Sequence, residues 1–451
     1  MWWRAPWLEQ RRALIGLALF DALVIVGAYN GLFRQRFDRW AGITGSVATL
    51  VLLWLTLSYL LGRYSRSDTD KRLWSIGWVA AVVTAITIVA VWLGVVRDPR
   101  ALPDFVLPLL GGTAILSALA ERRVDHGARQ ANHWLLLASP EEREIVEREL
   151  QQQNAAARLS LHICHTPQQA LSLLSGTDNQ QGIALGAQVA LGDELVQALL
   201  QQRNLGQPVL ELVDWCERHM QRVPPELLSS RWLLLAEGFR LRPGQAGWRL
   251  KRLGDLVVGG LLLALASPVL LLAAALIKLE DGGPVLYSQI RTGLYGQPFR
   301  IWKLRSMRVG SEAQGVCWAS RHDPRITRVG GWLRRLRLDE LPQLVNVLAG
   351  DMSLIGPRPE RPEVEHNLEQ LVPHYRVRHW IRPGLSGWAQ VCFPYGASVD
   401  DSRIKLSFDL YYLRNFSLFL DALILLKTIR LVSRAEGALP KALPPSVLHA
   451  R

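Results

Sequence analysis

Cysteine is scarce in this sequence: four residues in 451, at positions 164, 216, 317 and 392, with no Cys-x-x-Cys pair and no histidine cluster at metal-ligand spacing. That pattern argues against a disulfide framework and against a zinc site, and predicts reduced, structural thiols. A Gly-x-Gly-x-x-Gly turn is also missing after the first strand-like run of the middle region, where the chain reads Leu137-Ala138-Ser139-Pro140. Without those glycines the backbone cannot approach a pyrophosphate, so a dinucleotide site is not expected there. No removable leader is expected either, because the first apolar segment is long, lacks a small-residue cleavage site and is followed by more of its kind. Acidic residues are the minority charge, 39 against 52 Lys and Arg, for a formal net charge of +13. The excess suits an anionic partner: nucleic acid, an acidic membrane surface or phosphorylated substrates.

What the chain has in abundance is tryptophan, 17 residues, which concentrates at membrane interfaces. Four apolar stretches fill the first 120 residues, at about 13–33, 41–62, 74–96 and 102–120. Each approaches the ~20 residues a helix needs to cross a bilayer. The fourth is the weakest, with Pro103 and Pro108 near its start and Gly111-Gly112 in its middle. Ten basic residues flank one side of this set and five the other, which predicts a four-helix transmembrane region over 1–125 with both ends cytoplasmic. Asp21 is costly in lipid and is expected to face the bundle in a structural hydrogen bond.

From 131 to 240 short apolar runs at 133–138, 159–164, 182–185 and 209–213 alternate with helical stretches such as 141–153 and 193–203. That alternation predicts a Rossmann-like α/β domain, used for packing, dimerisation or regulation and dispensable for chemistry. A Pro/Gly linker at 242–247 leads to an apolar run at 253–277. Ser267-Pro268 interrupts that run, and Arg249, Lys251 and Arg252 on one side face Lys278, Arg291, Arg300, Lys303 and Arg305 on the other. With both flanks basic, a re-entrant membrane helix over 253–279, broken at Ser267 and Pro268, satisfies the charge rule better than a plain span. An α/β unit is expected over 248–435, an amphipathic helix over 418–429 and a disordered tail over 436–451.

The densest chemical signal is Arg-Arg-Leu-Arg-Leu-Asp-Glu-Leu-Pro-Gln-Leu at 334–344, followed by Gly-Asp-Met-Ser-Leu-Ile-Gly-Pro-Arg-Pro at 350–359. Alone, Asp339-Glu340 behind several arginines reads as a solvated helix end. Beside a membrane anchor and a rigid Pro-Arg-Pro, the same pair suits phosphoryl chemistry. Arginine forks match diphosphate oxygens, and a carboxylate can attack phosphorus with a divalent cation nearby. The alternating texture at 287–293 and 299–307 predicts strands presenting cations on one face. Trp388, in the turn-rich stretch 381–391, suits base stacking or burial.

Residues 249–434 resemble the bacterial sugar transferase family, the monotopic polyprenyl-phosphate phosphoglycosyl transferases. The resemblance runs in order through Lys251-Arg252 with Asp255, Ser267-Pro268, Pro284-Val285-Leu286-Tyr287, 303–307, 323–327, 338–343, 350–359, 382–391 and 408–412. The spans and α/β domain ahead of it are similar to the family's long members. The stretch 393–398 resembles the branch found with exosortase-linked exopolysaccharide systems.

The resemblance implies an inner-membrane, multi-pass enzyme with its catalytic domain on the cytoplasmic face. It would transfer a hexose-1-phosphate from a UDP-sugar, with UDP-glucose favoured, to undecaprenyl phosphate. It further implies that Asp339 attacks the β-phosphate and that Glu340 helps deprotonate the incoming lipid phosphate. Mg2+ would sit near Asp339, and Lys303, Arg334, Arg358 and Arg382 would hold phosphates. Asp409 is implied for substrate orientation or a structural salt bridge. Membrane lipids are expected partners and nucleic acid is not; whether the N-terminal regions form a homodimer stays open. Gly254, Leu304 and Gly331 depart from the family pattern without touching the carboxylate pair. The alternative reading is a non-catalytic membrane scaffold of a polysaccharide assembly complex.

Overall fold

The computed structural model describes residues 6–9, 11–64, 76, 78–86, 107–128, 132–152, 159–164, 166–174, 182–239, 241, 244–310, 323–393 and 398–433. The tail expected over 436–451, Cys317 and much of the third apolar stretch lie outside those residues.

A short helix α1 (Pro6–Glu9) precedes α2 (Arg12–Phe37) and α3 (Gly45–Leu60), and α4 (Leu107–Ala128) follows a helical stretch at 78–86. Ile25, Trp54, Val79, Val83 and Leu110 from these segments pack into one apolar cluster. Asp21 is fully buried beside them. Its carboxylate accepts from Tyr64 Oη at 2.6 Å, from Trp54 Nε1 at 3.4 Å, and from Ser117 and Arg63. Arg63 also pairs with Glu121 at 3.3 Å, so the Asp21 carboxylate held away from water is compensated by a shared cation and several hydrogen bonds. Of the described helices, α2 is long and apolar enough to cross a bilayer, and so is the helix Ala246–Asp281 below; α3, with 16 residues, is shorter.

The middle region forms a four-stranded parallel sheet from β1 (Asn132–Leu137), β2 (Leu159–Cys164), β3 (Gly182–Leu185) and β4 (Val209–Glu211), in the order β2-β1-β3-β4. Helices α5 (Pro140–Gln152), α6 (Pro167–Leu174), α7 (Asp193–Asn204) and α8 (Leu212–Met220) cover it. Leu135 and Leu137 pack with Ala170 and Leu199 on one face, while Trp134 and Leu136 pack with Val146 and Trp215 on the other. Burial on both faces explains why β1 reads as a continuous apolar run instead of alternating.

The domain boundary expected at 240 passes through a core. Val213, Val223, Leu228 and Leu241 share one apolar cluster with Leu344, Tyr411 and Ile424 of the C-terminal unit. Val223 N donates to Ser407 O at 2.9 Å, and Trp388 Nε1 donates to Gln221 O at 3.0 Å. Trp388 is buried, as the blander of its two readings anticipated. A sequence pattern marks the end of a sheet, but it does not reveal which neighbour buries the helix that follows.

After α9 (Ser230–Leu235), the helix α10 (Ala246–Asp281) runs 36 residues without interruption. The expected break at Ser267-Pro268 is therefore not a gap in the helix. Pro268 lacks the N–H that would bond Ala264 O, and Ser267 Oγ donates to that carbonyl at 2.8 Å instead. Both ends of α10 join the C-terminal unit. Near its start, Lys251 pairs with Asp421 at 2.7 Å and Asp255 accepts from Ser353 Oγ and Leu354 N at 2.9 Å. At its end, Asp281 pairs with Arg305 and Glu280 accepts from Arg328 N at 2.8 Å. Between them Leu261, Leu265, Leu271 and Leu272 are exposed.

The remaining elements are β5 (Leu286–Thr292) and β6 (Pro298–Leu304), α11 (Arg328–Arg335), α12 (Gln343–Ala349), β7 (Ser353–Ile355), α13 (Pro362–Leu371), β8 (Gly384–Ser386), α14 (Trp388–Cys392), α15 (Val399–Asn415) and α16 (Leu418–Ser433).

Candidate active site

Strands β5 and β6 pair antiparallel, with Tyr287 opposite Lys303, Gln289 opposite Ile301 and Arg291 opposite Phe299. Directly opposed side chains share a face, so Lys303 and Arg291 stand on the same side of the hairpin, as the alternating pattern predicts.

That face meets a tightly built turn. Thr327 caps α11 by accepting from Gly330 N at 2.9 Å. Gly330 lies against β6's continuation so closely that a Cβ there would fall 2.1 Å from Ser306 O. Past α11, Arg337 takes left-handed backbone angles, φ 58° and ψ 20°, and turns the chain into the single 3-10 turn Leu338–Glu340. Non-glycine residues adopt that conformation at a cost of about 1–2 kcal/mol, a strain that tends to gather at functional sites. Pro342 then starts α12.

The two adjacent carboxylates have opposite surroundings. Glu340 accepts from Lys303 Nζ at 3.2 Å and from both terminal nitrogens of Arg358, one of them at 3.3 Å, with Arg337 Nη1 at 3.8 Å. Burial pushes its carboxyl up, but Arg358 and Lys303 outweigh that and hold it well below the usual carboxylate range. Asp339 is also buried, yet among the described residues it makes no hydrogen bond or ion pair. Burial, helped by the charge on Glu340, pushes its carboxyl up; Lys303, Arg334 and Arg337 pull it back only in part. Arg334 is braced by donation from its Nε to Ser306 Oγ at 3.0 Å.

The Pro-Arg-Pro segment is held from behind. Arg378 Nη2 donates to Arg358 O at 2.8 Å and pairs with Asp409 at 3.1 Å. Arg291 Nη1 donates to Pro359 O at 3.3 Å. Glu365 accepts from His379 at 3.0 Å beside Arg378. Burial pushes the Asp409 carboxyl up to about 6, with Arg378 drawing it down.

Of the residues predicted from the sequence, Asp339, Glu340, Lys303, Arg334 and Arg358 come together. Arg382 does not join them: its guanidinium stacks 4.7 Å over Trp248, with Arg252, Asp255 and Asp351 as its charged neighbours. Asp409 reaches the cluster only through Arg378. Ser267 and Pro268 lie midway along α10. Sequence reasoning missed Arg378, Glu365 and His379, whose only signal is the cationic alternation Arg376-Val377-Arg378 ahead of Arg382-Pro383-Gly384.

Among the described residues no three His, Cys, Asp or Glu side chains gather as a ready metal site. Asp339 is the carboxylate here with its lone pairs uncommitted. Mg2+ commonly takes one or two carboxylates and completes its shell with water and substrate phosphates, and these residues fit such a shared cation.

The middle sheet has its own crevice at the C-terminal ends of β1 and β3, where open α/β sheets take ligands. The Glu142 carboxylate fills it, accepting from Ser139 N and Ala187 N at 2.9 Å and Gln188 N at 3.3 Å. A Cβ on Gly186 would come within 2.0 Å of that carboxylate. An internal anion thus sits where backbone N–H groups would otherwise grip a phosphate.

Residues 246–435 match the model of the family described as bacterial sugar transferase. The UDP-N-acetylgalactosamine-undecaprenyl-phosphate N-acetylgalactosaminephosphotransferase of Aeromonas hydrophila is 50% identical over 189 residues, 42% of this chain and 45% of that protein. The UDP-glucose:undecaprenyl-phosphate glucose-1-phosphate transferase of Escherichia coli (strain K12) is 42% identical over 182 residues, 40% of this chain and 39% of that protein. The protein of the same name from Caulobacter vibrioides is 45% identical over 242 residues, 52% of this chain and 87% of that protein. The chain thus spans less than half the length of the first two relatives and most of the third.

Proposed function

The chain belongs to the bacterial sugar transferase family, and from that membership we propose that it transfers a hexose-1-phosphate from a UDP-sugar to undecaprenyl phosphate. The products are UMP and undecaprenyl-diphosphate-sugar, in the first membrane step of exopolysaccharide assembly. The observation that carries the reading is the contrast within Asp339-Glu340: one carboxylate fully engaged by cations, the other buried, uncommitted and ringed by Lys303, Arg334 and Arg337.

An Asp339 oxygen attacks the sugar-bearing β-phosphorus, and UMP departs with the bridging oxygen. A phosphate oxygen of undecaprenyl phosphate then attacks the same phosphorus and releases the Asp339 carboxylate. Lys303, Arg334 and Arg358 hold phosphate oxygens through both steps, in the manner of preorganised cations. Asp339 would hold Mg2+, which when bound would neutralise phosphate charge. Glu340 is a weak base while Arg358 and Lys303 grip it. A phosphate monoester is mostly dianionic at pH 7, its second pKa being about 6, so little deprotonation is required. Glu340's main work is accordingly to hold Arg358 and Lys303 in position, and it accepts a proton only when substrate draws them away. Arg382, stacked on Trp248 at the foot of α10, fits contact with the lipid phosphate rather than with the nucleotide.

The N-terminal helices form a four-helix transmembrane bundle with cytoplasmic ends, and α10 is re-entrant, with the catalytic unit on the cytoplasmic face of the inner membrane. Supporting this, both ends of α10 are ion-paired to one folded unit while its middle offers bare leucines. Ends tied to one folded unit favour a helix that dips into one leaflet over one that carries its ends to opposite sides of a bilayer core about 30 Å thick.

UMP release settles the reaction class: purified protein in nanodiscs, undecaprenyl phosphate, Mg2+, and a panel led by UDP-glucose and UDP-N-acetylgalactosamine. The expected result is release with one donor and its loss in Asp339→Asn. Wild-type turnover by that variant would overturn Asp339 as nucleophile. Absence of release from every donor by folded protein would move weight to the scaffold reading.

A further inference from the structure

Helix α9 offers two leucines that stand largely exposed among the described residues: Leu234 is 83% exposed and Leu235 67%. Isolated exposed leucines are ordinary, but these are not isolated. Arg414 links α9 to the foot of α10. Its guanidinium lies 4.8 Å over Trp232 and its Nε donates to Glu237 O at 3.3 Å. Two residues on, Phe416 lies 5.5 Å from Lys251 Nζ in α10, and Leu418, exposed, opens α16. A second link runs through Trp380, which is also exposed. Its ring meets Phe239 edge-on at 5.5 Å, and Arg382, two residues further, stacks on Trp248. Leu250 and Leu253, the first exposed leucines of α10, continue the same strip.

We infer that α9 with Trp380 is a lipid-contacting foot, resting in the headgroup layer beside the entry point of α10. This rests on the membrane reading of α10 above. Continuity with that helix identifies the occupant. Through the Arg414 and Arg382 contacts, α9 adjoins the foot of a helix whose leucines are exposed through its middle, and a lipid layer that covers those leucines reaches α9 as well. The chemistry agrees: Trp248 and Trp380 are interfacial residue types, and exposed Arg231 and Arg249 flank the strip where anionic headgroups would lie. Two leucines on a rigid helix behind a row of aromatics make a shallow contact, not a span. The foot would hold the middle sheet at a fixed height over the membrane, since α9 belongs to the stretch that joins that sheet to the C-terminal core.

The test uses the full chain in nanodiscs of phosphatidylethanolamine and phosphatidylglycerol, with dansylalanine replacing Leu234. Leu205, 71% exposed at the end of α7, carries the same probe as a control that faces water. The expected result is blue-shifted emission at 234 that is quenched by headgroup-region nitroxide lipids and shielded from iodide, with the reverse at 205. Emission at 234 matching that at 205 would overturn the inference. Shielding from iodide without lipid quenching would also overturn it, since that means a protein surface, such as a second copy, covers the leucines. The same probe at Leu235 repeats the test if the first variant folds poorly. Lipid quenching along α10, measured with a probe at Leu265, tests the membrane reading separately: quenching at 265 without quenching at 234 removes the foot and leaves that reading intact.

Discussion

Replacing Glu149 by leucine should destabilise the joint between the middle sheet and the C-terminal unit. Glu149 is completely buried on α5 and pairs with Arg222 at 2.8 Å and Arg403 at 2.7 Å. Glu226 reaches Arg403 at 2.9 Å, so the four groups together are formally neutral. In Glu149→Leu, Arg403 keeps Glu226. Arg222 keeps the carbonyl of residue 149, the Phe408 ring at 5.7 Å and the field of Glu226, which Arg403 already engages, but loses its direct ion pair. Removing one partner of such a pair costs about 3–5 kcal/mol, whereas replacing both by apolar groups is often neutral. For a unit of this size each kcal/mol lowers Tm by about 2–4 °C. Thermal unfolding followed by tryptophan fluorescence in nanodiscs should therefore show a clear drop for Glu149→Leu, largely restored in Glu149→Leu/Arg222→Leu. A single variant within about 1 kcal/mol of wild type, or a double variant no better than the single, would refute the reasoning.

Three further outcomes are expected. A chain beginning at residue 245 loses Val213, Val223, Leu228 and Leu241 from the shared core, and in nanodiscs should lose the cooperative thermal unfolding that the full chain keeps; a fragment unfolding as cooperatively and at the same Tm would contradict this. Gly330→Ala forces a Cβ against the Ser306 carbonyl and should cost on the order of 1–3 kcal/mol and lower UMP release, with no change expected if α11 simply shifts. Activity should fall on acidification with an inflection above the ordinary aspartate value of about 3.9, because burial raises Asp339 and attack needs its carboxylate. The stability sign is opposite: the folded state binds that proton more readily, so Asp339 costs stability above its folded pKa and the cost fades as pH falls. A rate unchanged down to pH 4 would contradict the raised value.

Much of the architecture was legible before any coordinates. Apolar runs of spanning length, the βα alternation of 131–240 and the hairpin texture of 287–307 are local, periodic properties, and a chain that buries one face or both must display them. The grouping of Asp339, Glu340, Lys303, Arg334 and Arg358 was anticipated through the family resemblance, with only the dense run at 334–359 marking it as a basic, rigid context by itself. Other features depended on contacts between residues far apart in sequence. Nothing local tells that Arg378 would hold the Arg358 carbonyl, or that Asp409 would pair with Arg378. Nor does the sequence disclose that Val213 of α8 and the stretch after it share the C-terminal core, because an amphipathic helix states only that it has a buried face. The contrast between the two neighbouring carboxylates is of this second kind. Identical in charge and adjacent in sequence, Asp339 and Glu340 differ because folding delivers Arg358 and Lys303 to one and leaves the other buried and uncommitted. Composition and periodicity determined which segments are apolar enough to span a bilayer, which form sheet and where positive charge gathers. Tertiary packing alone decided which charges neutralise one another, since Coulomb energy depends on distances that only the folded chain brings about.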